Sequence, residues 1–420
     1  MKNNPQLLSP YRVLDLADEK GALCGAVLAS MGADVIKVEP PCGCATRRKP
    51  PFHEDQPNME SSLVHWALNK NKRSLTLALE TADGREIFEK LLRSADFLIE
   101  SFKPGYLEKL GFGYEDVRRI APSLIYVSIT PYGHGGPRSE WEAVDINLQA
   151  MGGHMYLSGD VDRAPVRVGL DASYLHGGTE GAAGAMVALN HRRRTGRGQH
   201  VDVSMQQCII WTLLNTTMTW QMVQRQEMRG GAVRKERGNT VYTRVIWPCR
   251  DGMVLFIPIG GGGGKARSNS YLRFVDWMRQ DGYFADCLIL RDWNNKEMYS
   301  FSQSEYDAVS DQIGEFLKTK TVSELYERAV ADRFLLAPIS TVENLLSSPQ
   351  LEERKFFAEA VGLELGQAIK YPGPFAKFSK TPLAEARRAP LLGEDTDRIL
   401  FELGYDSCET IDALRASGAV

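Results

Sequence analysis

Residues 11–39 constrain the fold more than any other stretch of the chain. Residues 11–16 are a short apolar run closed by the acidic pair Asp18 and Glu19. Small and apolar residues fill 21–31, about three helical turns, and 33–39 read as a second strand. Strand, helix, strand is the parallel βαβ unit, whose crossover is right-handed. The pattern recurs, with strands at 74–79, 97–99 and 124–129 and a helix over 84–94 that carries Ile87, Leu91 and Leu92 on one face. The spacing predicts an α/β protein with a doubly wound, Rossmann-like parallel sheet. Such sheets bind ligands in the crevice beyond the carboxyl ends of their strands.

A further helix, over 177–193, is rich in small residues (Gly181, Ala182, Ala183, Gly184, Ala185), so it can lie close against a neighbouring backbone. It ends in His191, Arg192, Arg193 and Arg194 before Gly196. Cations there suit the helix dipole and Gly suits the left-handed cap, while a nucleic-acid patch is the sharper alternative. The overall charge favours capping. Fifty Lys+Arg against 53 Asp+Glu leave a net charge of -3, which excludes nucleic-acid or membrane binding driven by bulk charge. No apolar run is long enough to span a bilayer, and the first ten residues lack the apolar segment of a signal peptide. The 7 cysteines are odd in number and scattered, unlike a disulfide framework. A cytoplasmic location is expected, without nucleic-acid or membrane partners. Cys42 and Cys44 form one close pair, but a metal would need two further ligands, so no metal site is expected.

After Met205 a segment rich in Met, Gln and Trp leads to Arg229, Gly230 and Gly231, a linker or lid. Two β-rich runs, 243–248 and 253–259, flank Arg250-Asp251-Gly252 and read as a hairpin. Thr321 and Glu324 have the spacing of a capping box. Residues 226–335 are expected to form a smaller α+β domain after a large-domain part at 1–225.

Chemistry is harder to place. Gly260, Gly261, Gly262, Gly263 and Gly264 before Lys265 invite a phosphate-loop reading, but Ile259 and Ala266 break its spacing. The glycines remain either a loop that folds over substrate or a plain surface loop. No nucleophile elbow, zinc helix or Cys–His signature is present. His134, His154 and His176 lie near glycines and read more readily as structural or surface residues than as bases. Asp171 stands between the run 166–170 and the small-residue helix. It is either a helix N-cap or a carboxylate nucleophile aimed into the crevice.

Several segments, in order along the chain, resemble the class III CoA-transferase family, which includes formyl-CoA transferase and carnitine CoA-transferase. They include VLDLADEKGALCGAVLASMGADVIKVEPP (13–41), NKRSLTL (71–77), ESFKPGYLEKLGFGYEDV (100–117) and LIYVSITPYGHGGP (124–137). To these belong PVRVGLDASYLHGGTEGAAGAMVALNHRRRTGRGQHVDVSM (165–205), YPGPFAKFSKTP (371–382) and APLLGEDTDRILFELG (389–404). The resemblance implies a large domain holding both termini, with 336–420 returning to it, and an interlocked dimer. It places the family's catalytic aspartate on Asp171, attacking an acyl-CoA thioester and carrying CoA through anhydride and aspartyl-CoA intermediates. Coenzyme A is then a co-substrate, with no permanently bound cofactor. Its contacts are expected at Lys20, Leu77, Ser101, Phe102, Lys109, Leu110 and Met205, with the Gly260–Gly264 loop over the substrate.

Some positions depart from the family. Ser101 stands where many members have Asn, Glu80 where a lysine contacts CoA, and Cys44 where Asp is usual. The related α-methylacyl-CoA racemases carry a histidine where this chain has Val144, which removes the base for α-proton exchange. A non-catalytic subunit of a heteromeric transferase is the other alternative, and the retained Asp171 argues against it. The expected partners are an acyl-CoA donor, with succinyl-CoA preferred, a carboxylic-acid acceptor, and a second copy or related subunit. Trp211, Met218, Trp220 and Met222 point to an apolar or aromatic acid such as a benzylsuccinate, or simply to core packing.

Overall fold

Apolar runs separated by one helix pair in parallel, and the first such unit forms as the sequence predicts. In the computed structural model β1 (Arg12–Asp15) lies parallel to β2 (Asp34–Glu39), Arg12 opposite Asp34, with α1 (Ala22–Ser30) between them in the chain. The structure describes residues 6–235, 241–258, 265–283, 302–361 and 368–420. The chain divides into two compact units.

The first unit comprises Met1–Met155, Arg167–Arg225 and Pro349–Val420. Four further strands, β3 (Arg73–Thr76), β4 (Phe97–Glu100), β5 (Ile125–Thr130) and β6 (His200–Ser204), complete a parallel sheet in the order β3-β2-β1-β4-β5-β6. The order reverses between β1 and β4, so the crevice of this sheet opens where those two strands end. β4 and β5 are buried along their whole length, as strands covered by helices on both faces must be.

The helices that matter for the site are α2 (Leu63–Asn69), α3 (Ala82–Ser94), α4 (Tyr106–Lys109), α5 (Tyr114–Ile120), α6 (Asp145–Met151), α7 (Ala172–Thr195) and α8 (Met205–Trp211). α7 starts five residues before the glycines that suggest it, directly after Asp171. Its glycines pack closely on α1, β5, β6 and α8. A Cβ on Gly178 would sit 2.8 Å from Leu23 Cβ and 3.1 Å from the Cys24 amide nitrogen. Gly196, at φ +73°, ends the helix, and Arg192 bonds Asp96 at 2.7 Å, so these residues close and anchor the helix as capping requires.

The C-terminal segment covers the far edge of the sheet. Ser74 N–H donates to Asp395 at 3.0 Å and Thr76 N–H to Thr396 at 3.1 Å, and Ile399, Leu400, Ile411 and Leu414 enter the core formed with α3.

The second unit comprises Tyr156–Val166 and Gln226–Ser348. Met253–Phe256 is the middle strand of an antiparallel sheet, paired with Ile246–Pro248 across the expected Asp251-Gly252 turn and with Leu336–Pro338 on its other side. Trp247, Phe256, Phe274, Phe316 and Leu325 form its core. The Thr321–Glu324 capping box closes in both directions, at 3.1 and 2.7 Å. Among the described residues no helix is long and apolar enough to cross a membrane.

Candidate active site

The β1–α1 loop lines two clefts, the first of which opens beyond the carboxyl ends of β1 and β4. The larger, about 480 Å³, is lined by Asp18 and Lys20 after β1, Ser101, Phe102 and Lys103 after β4, and Trp141, Val144 and Asn147 near the start of α6. Its loops are tied together. Ser101 Oγ donates to Asp18 Oδ1 at 2.7 Å and accepts from the Asp18 amide at 2.9 Å, and Lys20 bonds the other Asp18 oxygen. Lys20, Ser101 and Phe102, far apart in sequence, therefore meet at the switch point.

The second cleft, about 340 Å³, is lined by Asp171, Glu19 and Tyr174 and by apolar side chains of α2 and α7, namely Leu63, Val64, Ala67, Leu68 and Leu175. Asp171 occupies the N-cap position of α7, yet its side chain makes no capping hydrogen bond. The amide that a cap would satisfy is taken from elsewhere. Ser173 N–H donates to Asp145 Oδ1 at 2.9 Å, and Ser173 Oγ donates to the same oxygen at 2.8 Å. Gln149, one turn along α6, donates to Asp145 Oδ2 at 2.6 Å and to the Leu170 carbonyl at 3.2 Å, and accepts from the Val168 amide at 3.1 Å. The loop into α7 is thus held by two buried polar side chains, and the Asp171 carboxylate is left out of the capping. It is 48 % exposed, at a helix N-terminus whose dipole favours its charge.

Beneath the β1–α1 loop lies a buried ionic cluster. Asp15 accepts from Lys72 at 2.6 Å and from the Ala17 amide at 3.0 Å, and Lys37 bonds the Ala17 carbonyl. Both sides of the Ala17 peptide are fixed, which sets the path of Asp18, Glu19 and Lys20. Burial and the neighbouring lysine push the Lys72 ammonium below its usual range against the pull of Asp15.

The other expected contacts lie elsewhere. Leu77 is in the core with α3, and Leu110 packs against that same core. Met205, fully buried, lies under Gly177. Lys109 is exposed at the end of α4 and lines neither cleft. The Gly260–Gly264 loop lies outside the described residues. His134 sits 3.4 Å from Glu100, whose carboxylate raises its pKa, and belongs to neither cleft. Among the described residues Glu39, Cys44 and His65 are close enough to share a cation. Arg47 already grips both Glu39 oxygens at 2.9 and 2.8 Å, and burial raises the Cys44 thiol pKa, so this set suits an internal ion pair rather than a metal.

Sequence reasoning does not single out Asp145, Gln149 or Lys49. The first two carry a faint signal, an acid and an amide spaced i, i+4 on one helix face. Lys49 ends an Arg-Arg-Lys run that belongs to none of the motifs.

A family model described as CoA-transferase family III matches residues 8–396. The chain belongs to that family. It is 34% identical over 417 residues, 99% of this chain and 98% of the relative, to the succinyl-CoA:(R)-benzylsuccinate CoA-transferase subunit BbsE of Thauera aromatica. It is 31% identical to the succinate–glutarate CoA-transferase of Agrobacterium fabrum, over 96% of this chain and 97% of that one. A solved CaiB/BaiF family protein from Brucella suis has the same fold, with a TM-score of 0.79 and 30% identity, covering 95% of this chain and 100% of that chain. This class III CoA-transferase therefore moves CoA between carboxylic acids, with CoA thioesters as substrates.

Proposed function

We propose that Asp171 is the nucleophile of the transfer. Its carboxylate attacks the donor thioester carbonyl, forming a C–O bond as the C–S bond breaks, and yields an aspartyl–acyl anhydride and CoA thiolate. The thiolate attacks the aspartyl carbonyl, releasing the donor acid and leaving an aspartyl-CoA thioester. The acceptor carboxylate reverses the two steps. Nucleophilic catalysis of this kind divides one exchange into easier stages.

One observation carries the reading. Asp145 caps α7 in place of Asp171, leaving the Asp171 carboxylate without a capping hydrogen bond at a helix N-terminus in a cleft with apolar walls. The CoA moiety is assigned to the switch-point cleft of Lys20, Ser101 and Phe102, with the exposed Lys109 as a phosphate partner. Succinyl-CoA is the proposed donor, since relatives are named for it. An apolar or aromatic acid is the proposed acceptor, in keeping with Leu63, Val64, Leu68 and Leu175. The working unit is an interlocked assembly of two chains, with itself or a related subunit, in the cytoplasm.

Incubation with succinyl-CoA and then hydroxylamine, followed by peptide mass spectrometry, should find a hydroxamate on Asp171. Asp171→Ala should lose transfer by about a thousandfold or more. No adduct together with full activity of the variant would overturn the assignment.

A further inference from the structure

Lys49 is the one cation against Asp171 among the described residues, and its backbone is set before any substrate arrives. It follows the short 3-10 turn Ala45–Arg48, and Ser62 Oγ donates to its carbonyl at 2.7 Å. Its ammonium lies 3.7 Å from Asp171 Oδ2, 3.2 Å from Glu19 Oε1 and 5.4 Å from the centre of the Tyr174 ring. Tyr174 is held in turn, its hydroxyl accepting from the Asp145 amide at 3.1 Å. The lysine side chain is 32% exposed, where an ion pair adds little to stability. A lysine between two carboxylates has a different use. In the resting enzyme it neutralises one of the two negative charges.

That balance shifts in turnover. Once Asp171 carries CoA as a thioester its charge is gone, and Lys49 keeps Glu19 on one side with nothing ionic on the other. We infer that this open side of Lys49 docks the carboxylate of the incoming acid against the aspartyl thioester, an inference that rests on Asp171 as nucleophile. The docked carboxylate oxygen forms the C–O bond to the Asp171 carbonyl carbon as its C–S bond breaks, and CoA leaves as the thiolate. Lys49 keeps its proton throughout. Because resting Asp171 competes for the same ammonium, free acid binds weakly until the thioester has formed, which orders the exchange with the donor first.

The test uses the full-length enzyme with succinyl-CoA as donor and benzylsuccinate as acceptor. Lys49→Met should raise the acceptor KM about tenfold or more, leave the KM for succinyl-CoA within about twofold, and still form the Asp171 hydroxamate. Lys49→Arg should recover most of the acceptor KM, and both variants should melt like the wild type. An unchanged acceptor KM, or equal rises for donor and acceptor, overturns the role of Lys49. So does a wild-type enzyme that forms the hydroxamate yet passes CoA to neither benzylsuccinate nor succinate. Absence of the hydroxamate in the wild type instead defeats the nucleophile reading itself.

Discussion

Asp171 stands where an N-cap residue stands, yet the first-turn amide it would take goes to Asp145 Oδ1 at 2.9 Å. From its position alone the residue reads more readily as a cap, although both readings need an acid at a strand-to-helix junction, and it is the family resemblance that favours the nucleophile. Which one holds depends on a side chain from α6, 26 positions earlier in the chain. His65 shows the same dependence. Nothing in its sequence surroundings marks it, yet burial first and the Arg47 guanidinium second push its pKa down to about 3 from 6.5. The unfolded chain therefore binds a proton that the folded one refuses, and stability falls as pH drops from 6.5 toward 3. His200 is shifted in the same direction, whereas the raised pKa of His134 contributes stability that is lost as pH rises. Between pH 6.5 and 4.5, above the ordinary range of the carboxylates, the melting temperature should fall. His65→Gln should flatten that slope; an unchanged slope would count against the assignment.

At the scale of elements, α7 is the helix on which the site is built, and its small-residue stripe is legible because only glycine permits such close approach. Its start is less legible, since Asp171 marks it only ambiguously and the side chain that caps it comes from another helix. Gly178→Ala gains about 1 kcal/mol of helix propensity but forces a Cβ against Leu23 Cβ at 2.8 Å and the Cys24 amide nitrogen. Overpacking of that kind costs about 1–3 kcal/mol, so chemical denaturation should show a net loss. Gly181→Ala meets the far end of Ile129, at 2.7 Å, and should cost less because that terminal methyl can rotate aside. The second-unit hairpin is legible for a local reason too, because Asp251-Gly252 supplies its turn. Its third strand, Leu336–Pro338, is not, because its partner Met253–Phe256 lies some eighty positions earlier.

For the molecule as a whole, the two ends of the first unit are tied at its sheet. Arg12 and Arg73 both bond Asp34 and Glu402, joining β1, β2 and β3 to the C-terminal segment. Ser74 and Thr76 on edge strand β3 give their amides to Asp395 and Thr396, which blunts the edge against pairing with another chain. Deleting 389–420 would remove Ile399, Leu400, Ile411 and Leu414 from the core. Each contributes about 1.5–3 kcal/mol of burial, against a typical net stability of about 5–15 kcal/mol. The truncated chain should aggregate on size exclusion and lose its cooperative melt. A monodisperse, cooperatively melting fragment would refute this account of the C-terminal segment.

What the sequence alone determined was the parallel sheet, its crossovers, the family and the candidate aspartate, because each is written in local periodicity or an ordered set of motifs. The tertiary structure decided what that aspartate is free to do. Asp145 and Gln149 release it from capping, the switch between β1 and β4 gathers Lys20, Ser101 and Phe102, and Lys49 arrives beside it from a loop outside the motifs. These contacts join residues from separate segments of the chain, and only folding brings their charges within reach of one another.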